Sequence, residues 1–132
     1  SKNKEASSLN INIGVMSNII IIDKYIYFIG NDGFFYEVEH TSFNSINKII
    51  KIDTNPSENK YLTKKLVKFN NKIYFCSDNG KLFCYDSLSK EVKFINLNME
   101  NQSLIGNPIK INNEIYVVDI NSVIYKIIDI DL

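Results

Sequence analysis

Three stretches of this sequence repeat one pattern of strands and turns. They span residues 18–38, 66–86 and 109–129, and each contains an apolar segment, a short polar turn and a segment that begins with an Ile-Tyr pair. The shared isoleucines are Ile26, Ile73 and Ile115, which lie 47 and 42 residues apart. A period of this length is typical of stacked supersecondary units, each of which needs its neighbours to bury its apolar surface. The chain is therefore expected to fold as three similar units.

Each repeat has a second tight turn between two segments rich in β-branched and aromatic residues. The dipeptides at these turns are Asp32-Gly33, Asn79-Gly80 and Asn121-Ser122. Because Gly, Asn and Asp tolerate a positive φ, the sequence predicts two-residue type I′ hairpins, with Gly33 and Gly80 at positive φ.

The register that follows from such a turn decides where the two cysteines lie. With Asn79-Gly80 as the central pair, Cys76 is predicted to lie opposite Phe83, and Phe75 opposite Cys84. Side chains alternate between the faces of a strand, so the two cysteines are expected on opposite faces of the sheet, free and mostly buried.

A fourth strand completes the first two units. Residues 47–53 and 91–98 alternate apolar and polar side chains, as half-exposed outer strands do. Four antiparallel strands make one blade of a β-propeller. The predicted fold class is therefore all-β, with about three four-stranded antiparallel blades that form a partial propeller. An antiparallel sandwich of three parts is the alternative fold.

The predicted units have definite limits. They cover residues 18–53, 65–98 and 108–129, the third unit lacks an outer strand, and Leu9–Ile13 is an extra alternating strand. Residues 54–61 and 99–107 are predicted to be polar loops, with Pro56 and Gly106 as breakers. The apolar runs Ile19–Ile22 and Tyr25–Ile29 predict inner strands that are covered on both faces.

Residues 78–94 (DNGKLFCYDSLSKEVKF) resemble the PQQ-like propeller repeat, whose usual form is DG-x-LYALD-x-x-TG-x-x-x-W. Gly80, Leu82, Phe83 and Asp86 match this form, whereas Ser89-Lys90 replaces Thr-Gly and Phe94 replaces Trp. The first unit keeps Asp32-Gly33 and Phe35-Tyr36, and the third keeps Ile124-Tyr125 and Asp129. The resemblance implies a propeller whose motif residues set hairpins and pack blades. Kelch and WD40 repeats are rivals, but neither a Gly-Gly nor a Trp-Asp dipeptide occurs here.

Composition and motifs argue against several classes of function. The net charge is zero and Arg is absent, which disfavours a nucleic-acid partner. The aliphatic run Ile19–Ile22 is far shorter than the roughly 20 residues of a membrane span, so no membrane insertion is expected. His40 is expected to be a solvated loop residue, and the cysteine spacing matches no zinc site. No catalytic residue, metal site or cofactor is predicted, and the chain is not expected to be an enzyme.

The expected function is a non-catalytic module for protein–protein interaction, acting as a scaffold or a sensor. A ligand- or glycan-binding propeller and a degenerate quinoprotein-type enzyme are the alternatives. Three stacked blades leave two end faces uncovered, with apolar residues of the kind at Ile19–Ile22 and Ile124–Ile128. We therefore expect a protein partner or self-association, in which two chains place six blades in a ring and Leu9–Ile13 of one chain supplies the missing outer strand to the third unit of the other. The alternative is that the missing blades lie in sequence outside these residues.

Overall fold

The chain folds into β-strands joined by short turns. The structure is a computed structural model, and it describes residues 6, 8–41, 45–52, 64–77, 80–96, 104–119 and 122–127. The strands within these residues are β1 (Ile20–Ile22), β2 (Tyr25–Ile29), β3 (Phe34–Glu39), β4 (Ile46–Lys51), β5 (Val67–Phe69), β6 (Lys72–Cys76), β7 (Lys81–Asp86), β8 (Glu91–Asn96), β9 (Leu104–Ile111), β10 (Glu114–Asp119) and β11 (Ile124–Ile127). No helix occurs in the described ranges.

The strands form three separate antiparallel sheets, one for each repeat. The first sheet has the order β1-β2-β3-β4, the second β5-β6-β7-β8, and the third β11-β10-β9. Neighbours in sequence are therefore neighbours in each sheet, because only short turns connect them. The predicted all-β fold, with four strands in the first two units and three in the third, is confirmed.

The β2–β3 and β6–β7 turns are each one residue longer than predicted. Ile29 lies opposite Phe35, and the Gly30 amide donates to the Phe34 carbonyl, so residues 31–33 form a three-residue loop. Within this loop only Gly33 has a positive φ, of 84°. This is the geometry of a type I turn followed by a left-handed glycine, so the type I′ assignment was wrong. Gly80 has the matching φ of 82°.

The longer turn shifts the register of the second hairpin. Cys76 lies opposite Leu82, and Tyr74 lies opposite Cys84. Cys76 and Cys84 therefore share one face of the second sheet, and the prediction of opposite faces was wrong. Both cysteines are free and buried, as expected. Burial raises the pKa of the Cys76 thiol to about 12.

The first strand of the third sheet begins earlier than predicted. Gly106 and Pro108 lie inside β9, so residues 104–107 are not loop. Pro108 lacks the amide hydrogen that a regular ladder needs. The pairing with β10 shifts between Tyr116 and Val118, and this irregularity accommodates the proline.

Two expectations about the N-terminal part were wrong. Leu9–Ile13 forms no strand; it crosses the outer surface of its own first sheet instead. In the run Ile19–Ile22, Ile19 and Ile21 are 56% and 57% exposed, whereas Ile22 is buried. The alternation shows that one side of β1 is not covered.

The core consists of two layers between the sheets. The layer between the first and second sheets contains Tyr27, Phe35, Phe75 and Tyr85, and the rings of Phe35 and Phe75 stack with centroids 4.6 Å apart. The layer between the second and third sheets is more aliphatic. It contains Val67, Tyr74, Cys76, Leu82, Cys84, Ile115, Val117 and Ile127. The three sheets are therefore stacked face to face in chain order.

Candidate interaction surface

Stacking gives every sheet two faces with distinct neighbours. We call the face towards the next sheet in chain order the forward face, and the opposite one the rear face. Aligning the repeats on their Ile-Tyr pairs places Phe35, Leu82 and Ile124 at one equivalent forward position. Phe35 and Leu82 are fully buried by the following sheet. By this equivalence, the forward face of the third sheet is expected to pack against a further surface at Ile124.

The forward face of the third sheet exposes an apolar surface. Ile109, Ile111 and Ile124 are 55%, 54% and 68% exposed. Ile109 lies opposite Tyr116, and Ile124 lies opposite Val118, so these side chains share one face. We call this set, together with Glu114 and Lys126, the end surface. Its residues are Ile109, Ile111, Glu114, Tyr116, Val118, Ile124 and Lys126.

A small charged group accompanies the apolar residues of the end surface. The Tyr116 hydroxyl donates to Glu114, and the Lys126 Nζ lies 3.0 Å from the Glu114 Oε1. The tyrosine hydrogen bond and the lysine charge hold the pKa of Glu114 below its usual value. The charges on this face are therefore paired with each other, and its other side chains remain free to contact a partner.

The rear face of the first sheet is covered by the chain itself. Phe28, Tyr36 and Val38 are buried beneath Leu9, Ile11 and Ile13, which we call the N-terminal cap. The cover is partial, because an apolar groove of about 300 Å³ stays open beside β1. The groove is lined by Ser8, Leu9, Ile11, Val15, Ile19, Ile26, Phe28 and Val38.

A buried carboxylate joins the first two sheets. Glu37 is 4% exposed, and its Oε2 accepts hydrogen bonds from Tyr27 at 2.8 Å, from Tyr85 at 2.9 Å and from the Lys90 Nζ at 2.7 Å. Burial alone would raise the pKa of Glu37, but these hydrogen bonds outweigh it and the pKa is lowered. Burial and the bond to Glu37 also raise the pKa of Tyr27 and of Tyr85. Because its partners are supplied by both sheets, this group stabilises the stack.

The predicted turn residues lie at hairpin ends. Asp32 accepts hydrogen bonds from the Phe34 amide and from the Tyr36 hydroxyl, so it stabilises its own turn. Ser122 has a φ of 64°. Asn79 and Asn121 lie outside the described residues. None of these contacts joins one hairpin turn to another.

The residues that resemble the PQQ-like repeat have local structural roles. The Asp86 carboxylate accepts the amides of Leu88 and Ser89 and so shapes the β7–β8 turn. Lys90 has a φ of 65° at the position where that repeat has Gly. Phe94, in place of Trp, is half exposed and packs against Phe83 at 5.7 Å between ring centroids.

The polar sites considered next, within the described residues, are a histidine contact, the grouping of potential metal ligands and one small pocket. The His40 Nε2 lies 3.0 Å from the Asp23 carbonyl oxygen, beside the β1–β2 turn. Within the described ranges, no three His, Cys, Asp or Glu side chains lie close enough together to hold a metal ion. A polar pocket that includes Asp86 and Glu91 measures about 40 Å³, which is room for about one water molecule.

Sequence reasoning found the surface only in part. Ile124 was expected on an uncovered face, and it is; Ile127 is buried instead, and Ile128 lies outside the described residues. Ile109 and Ile111 were missed, although their alternation with Lys110 is the signal of a half-exposed strand. Glu37 and Lys90 were missed as a pair because 53 residues separate them.

Comparisons with known proteins bear on the fold. No protein-family model matches the sequence, and no curated protein matches it. Among solved structures, BamB from Moraxella catarrhalis is similar, with a TM-score of 0.58 and 18% identity, over 84% of this chain and 30% of BamB. The computationally designed Ika8 protein has a TM-score of 0.52 and 9% identity, over 82% of this chain and 31% of its own.

The computationally designed Ika4 protein has the same TM-score and identity, over 83% of this chain and 62% of its own. The chain thus spans about a third of BamB and of Ika8.

Among the described residues, there is no helix that could cross a membrane. The structure and its likeness to BamB agree with the prediction made from the repeats: the chain has an all-β fold of propeller type, in which three antiparallel sheets do not close into a ring.

Proposed function

We propose that the chain is a non-catalytic module of PQQ-like β-propeller type that binds another protein and acts as a scaffold or a sensor. One observation carries the proposal: the end surface exposes Ile124 at a position that is buried on the other two sheets. Ile124 is 68% exposed, whereas its equivalents Phe35 and Leu82 are fully buried. Contiguous exposed apolar surface of this kind is typical of protein interfaces.

The composition of the end surface supports a protein as the partner. Branched aliphatic side chains and Tyr116 form its centre, and the paired Glu114 and Lys126 supply a polar part. An apolar centre with polar groups around it is the usual anatomy of a protein–protein interface. The closest model for the partner's surface is a rear face, since rear faces cover the other two forward faces.

A retention experiment tests the proposal. The immobilised chain is exposed to a lysate of its source organism, and the bound proteins are quantified by mass spectrometry. Ile124→Lys places a charge at the centre of the end surface, because the side chain there is 68% exposed. We expect this variant to lose the proteins that the wild type retains, since burying an unpaired charge opposes binding.

Leu88→Lys is the matched control. Leu88 is 69% exposed but lies in the β7–β8 turn, outside the end surface. Leu88→Lys adds the same charge as Ile124→Lys at a site of almost the same exposure. We expect this control variant to retain the same proteins as the wild type. If all three chains retain the same proteins in the same amounts, the end surface is not a protein-binding site.

A further inference from the structure

We propose that the end surface docks on the rear face of the first sheet of a second copy of this chain, and that the contact is reciprocal. Two chains then form one closed ring of six sheets. The inference rests on the proposed function, since it names the partner of the same surface. It depends on what the two ends of the stack expose and on how the repeats bury the equivalent positions.

The forward end of the stack carries one half of an inter-sheet contact. The alignment of repeats places Val67 and Ile109 at equivalent forward positions. Val67 is buried against the third sheet, whereas Ile109 is 55% exposed. Together with Ile124, this residue marks the end surface as a forward face that lacks its neighbour.

The rear end of the stack carries the other half. The same alignment makes Ile19, Leu66 and Pro108 equivalent. Leu66 is buried in the layer against the first sheet, and Pro108 is also buried. Ile19 is 56% exposed. The rear face of the first sheet therefore exposes an apolar side chain at a position that is buried in the other two repeats.

The two ends are complementary because they repeat a contact already present within the chain. Phe35 and Leu66 belong to one buried cluster between the first and second sheets. Ile124 is the equivalent of Phe35, and Ile19 is the equivalent of Leu66. A second copy that presents Ile19 to Ile124 reproduces that layer. A contact between two different surfaces closes when the rotation between copies allows it, and six sheets lie within the four to eight of closed propellers.

The N-terminal cap competes for the same rear face. Leu9, Ile11 and Ile13 pack on Phe28 and its neighbours but leave the groove beside β1 open. The end surface of a second copy must displace the cap to reach Phe28. The cap therefore weakens self-association, and removing its apolar side chains strengthens it.

Cross-linking between two single variants tests the geometry. Ile19→Cys and Ile124→Cys are made separately, and both positions are exposed enough to accept the change. The native Cys76 and Cys84 are buried and give a low background. After treatment with a short bis-maleimide, the mixture of the two variants should give several-fold more linked dimer than either variant alone.

Each outcome of this experiment decides the proposal. A cross-link in the mixture supports the contact between end surface and rear face. Equal cross-linking by Ile124→Cys alone indicates end surfaces that meet each other, and it overturns the proposal. If no linked product forms at a protein concentration of about 100 μM, the proposal is also overturned. In either case, loss of retained proteins by Ile124→Lys leaves the proposed function standing.

A second measurement tests the competition by the cap. Ile11→Ser removes one apolar side chain of the cap, and sedimentation equilibrium measures the dissociation constant of the dimer. We expect the constant to fall by about tenfold relative to wild type, and adding Ile124→Lys should restore a monomer. An unchanged constant in a folded Ile11→Ser chain, or a mass above that of a dimer, contradicts the proposal.

Discussion

Lys90 combines a backbone role and a side-chain role at one position. Its φ of 65° is unusual for a residue with a Cβ, and a left-handed conformation costs roughly 1–2 kcal/mol. Its ammonium group lies 2.7 Å from Glu37 on the first sheet and 3.8 Å from the centre of the Tyr25 ring. A charge-assisted bond to a buried carboxylate offsets the backbone cost. A lysine at this position therefore connects two sheets, which glycine cannot do.

Replacing this lysine should destabilise the stack. Lys90→Met keeps the length of the side chain but removes its charge, so Glu37 loses its cationic partner. We expect a loss of about 1 kcal/mol at pH 7, a modest value because Lys90 is partly exposed and the pair is screened by solvent. Urea unfolding measures it, and Lys93→Met, on the exposed strand β8, is the control that should change little.

The same pair predicts how stability depends on pH. The hydrogen bonds from Lys90 and the two tyrosines lower the pKa of Glu37 in the folded chain below its ordinary value of 4.5. The stability from this group is therefore present above about pH 4.5 and is lost as the pH falls through the folded-state pKa. The difference between wild type and Lys90→Met should shrink over the same window. A difference that stays constant on acidification would contradict this account.

At the scale of the element, the sequence predicted the strands better than the turns. The Asp-Gly and Asn-Gly pairs correctly marked the hairpins, because glycine supplies a positive φ. They did not fix the loop length, since a three-residue loop also places glycine at a left-handed position. Asp32 stabilises the longer loop through the Phe34 amide. In the β6–β7 hairpin, a loop that is also one residue longer shifted the register and brought Cys76 and Cys84 to one face.

The turn glycines give a prediction at this scale. Gly80→Ala puts a Cβ on a residue with φ 82°, so we expect a loss of roughly 1–2 kcal/mol in the free energy of unfolding. Asn70→Ala is a matched comparison, because Asn70 has φ 56° and already carries a Cβ. It should cost clearly less. Coincident thermal melts of Gly80→Ala and wild type would show that the left-handed glycine contributes nothing.

At the scale of the whole molecule, the sequence predicted the number of sheets and the presence of uncovered faces. It could not predict that the N-terminal cap covers one of them, since Leu9–Ile13 alternates as a strand does and its packing partners lie in β2 and β3. The alternation of apolar and polar residues in Leu9–Ile13 indicates which side chains prefer burial, but it does not indicate which surface buries them. Contacts between distant parts of the chain decide that choice.

The Asn18 side chain joins the first and second sheets through two hydrogen bonds. The Asn18 Nδ2 donates to the Leu66 carbonyl at 3.0 Å, and the Leu66 amide donates to the Asn18 Oδ1 at 2.7 Å. A second contact runs beside it, where the Lys64 amide donates to the Met16 carbonyl. The Lys65 amide likewise donates to the Asn107 side chain, so the second and third sheets are joined at their inner edge in a similar way.

Removing this amide should loosen the stack at one seam. Asn18→Ala deletes both hydrogen bonds to Leu66, and we expect a loss of about 1–2 kcal/mol, since each such bond contributes about 0.5–1.5 kcal/mol net. Asn96→Ala, at the exposed end of β8, is the control and should change stability little. Hydrogen exchange localises the effect: the Leu66 amide should exchange faster in Asn18→Ala, while amides between β6 and β7 keep their relative protection. If the two variants unfold at the same urea concentration, the two hydrogen bonds between Asn18 and Leu66 contribute nothing to the free energy of unfolding, and this account of the connection is wrong.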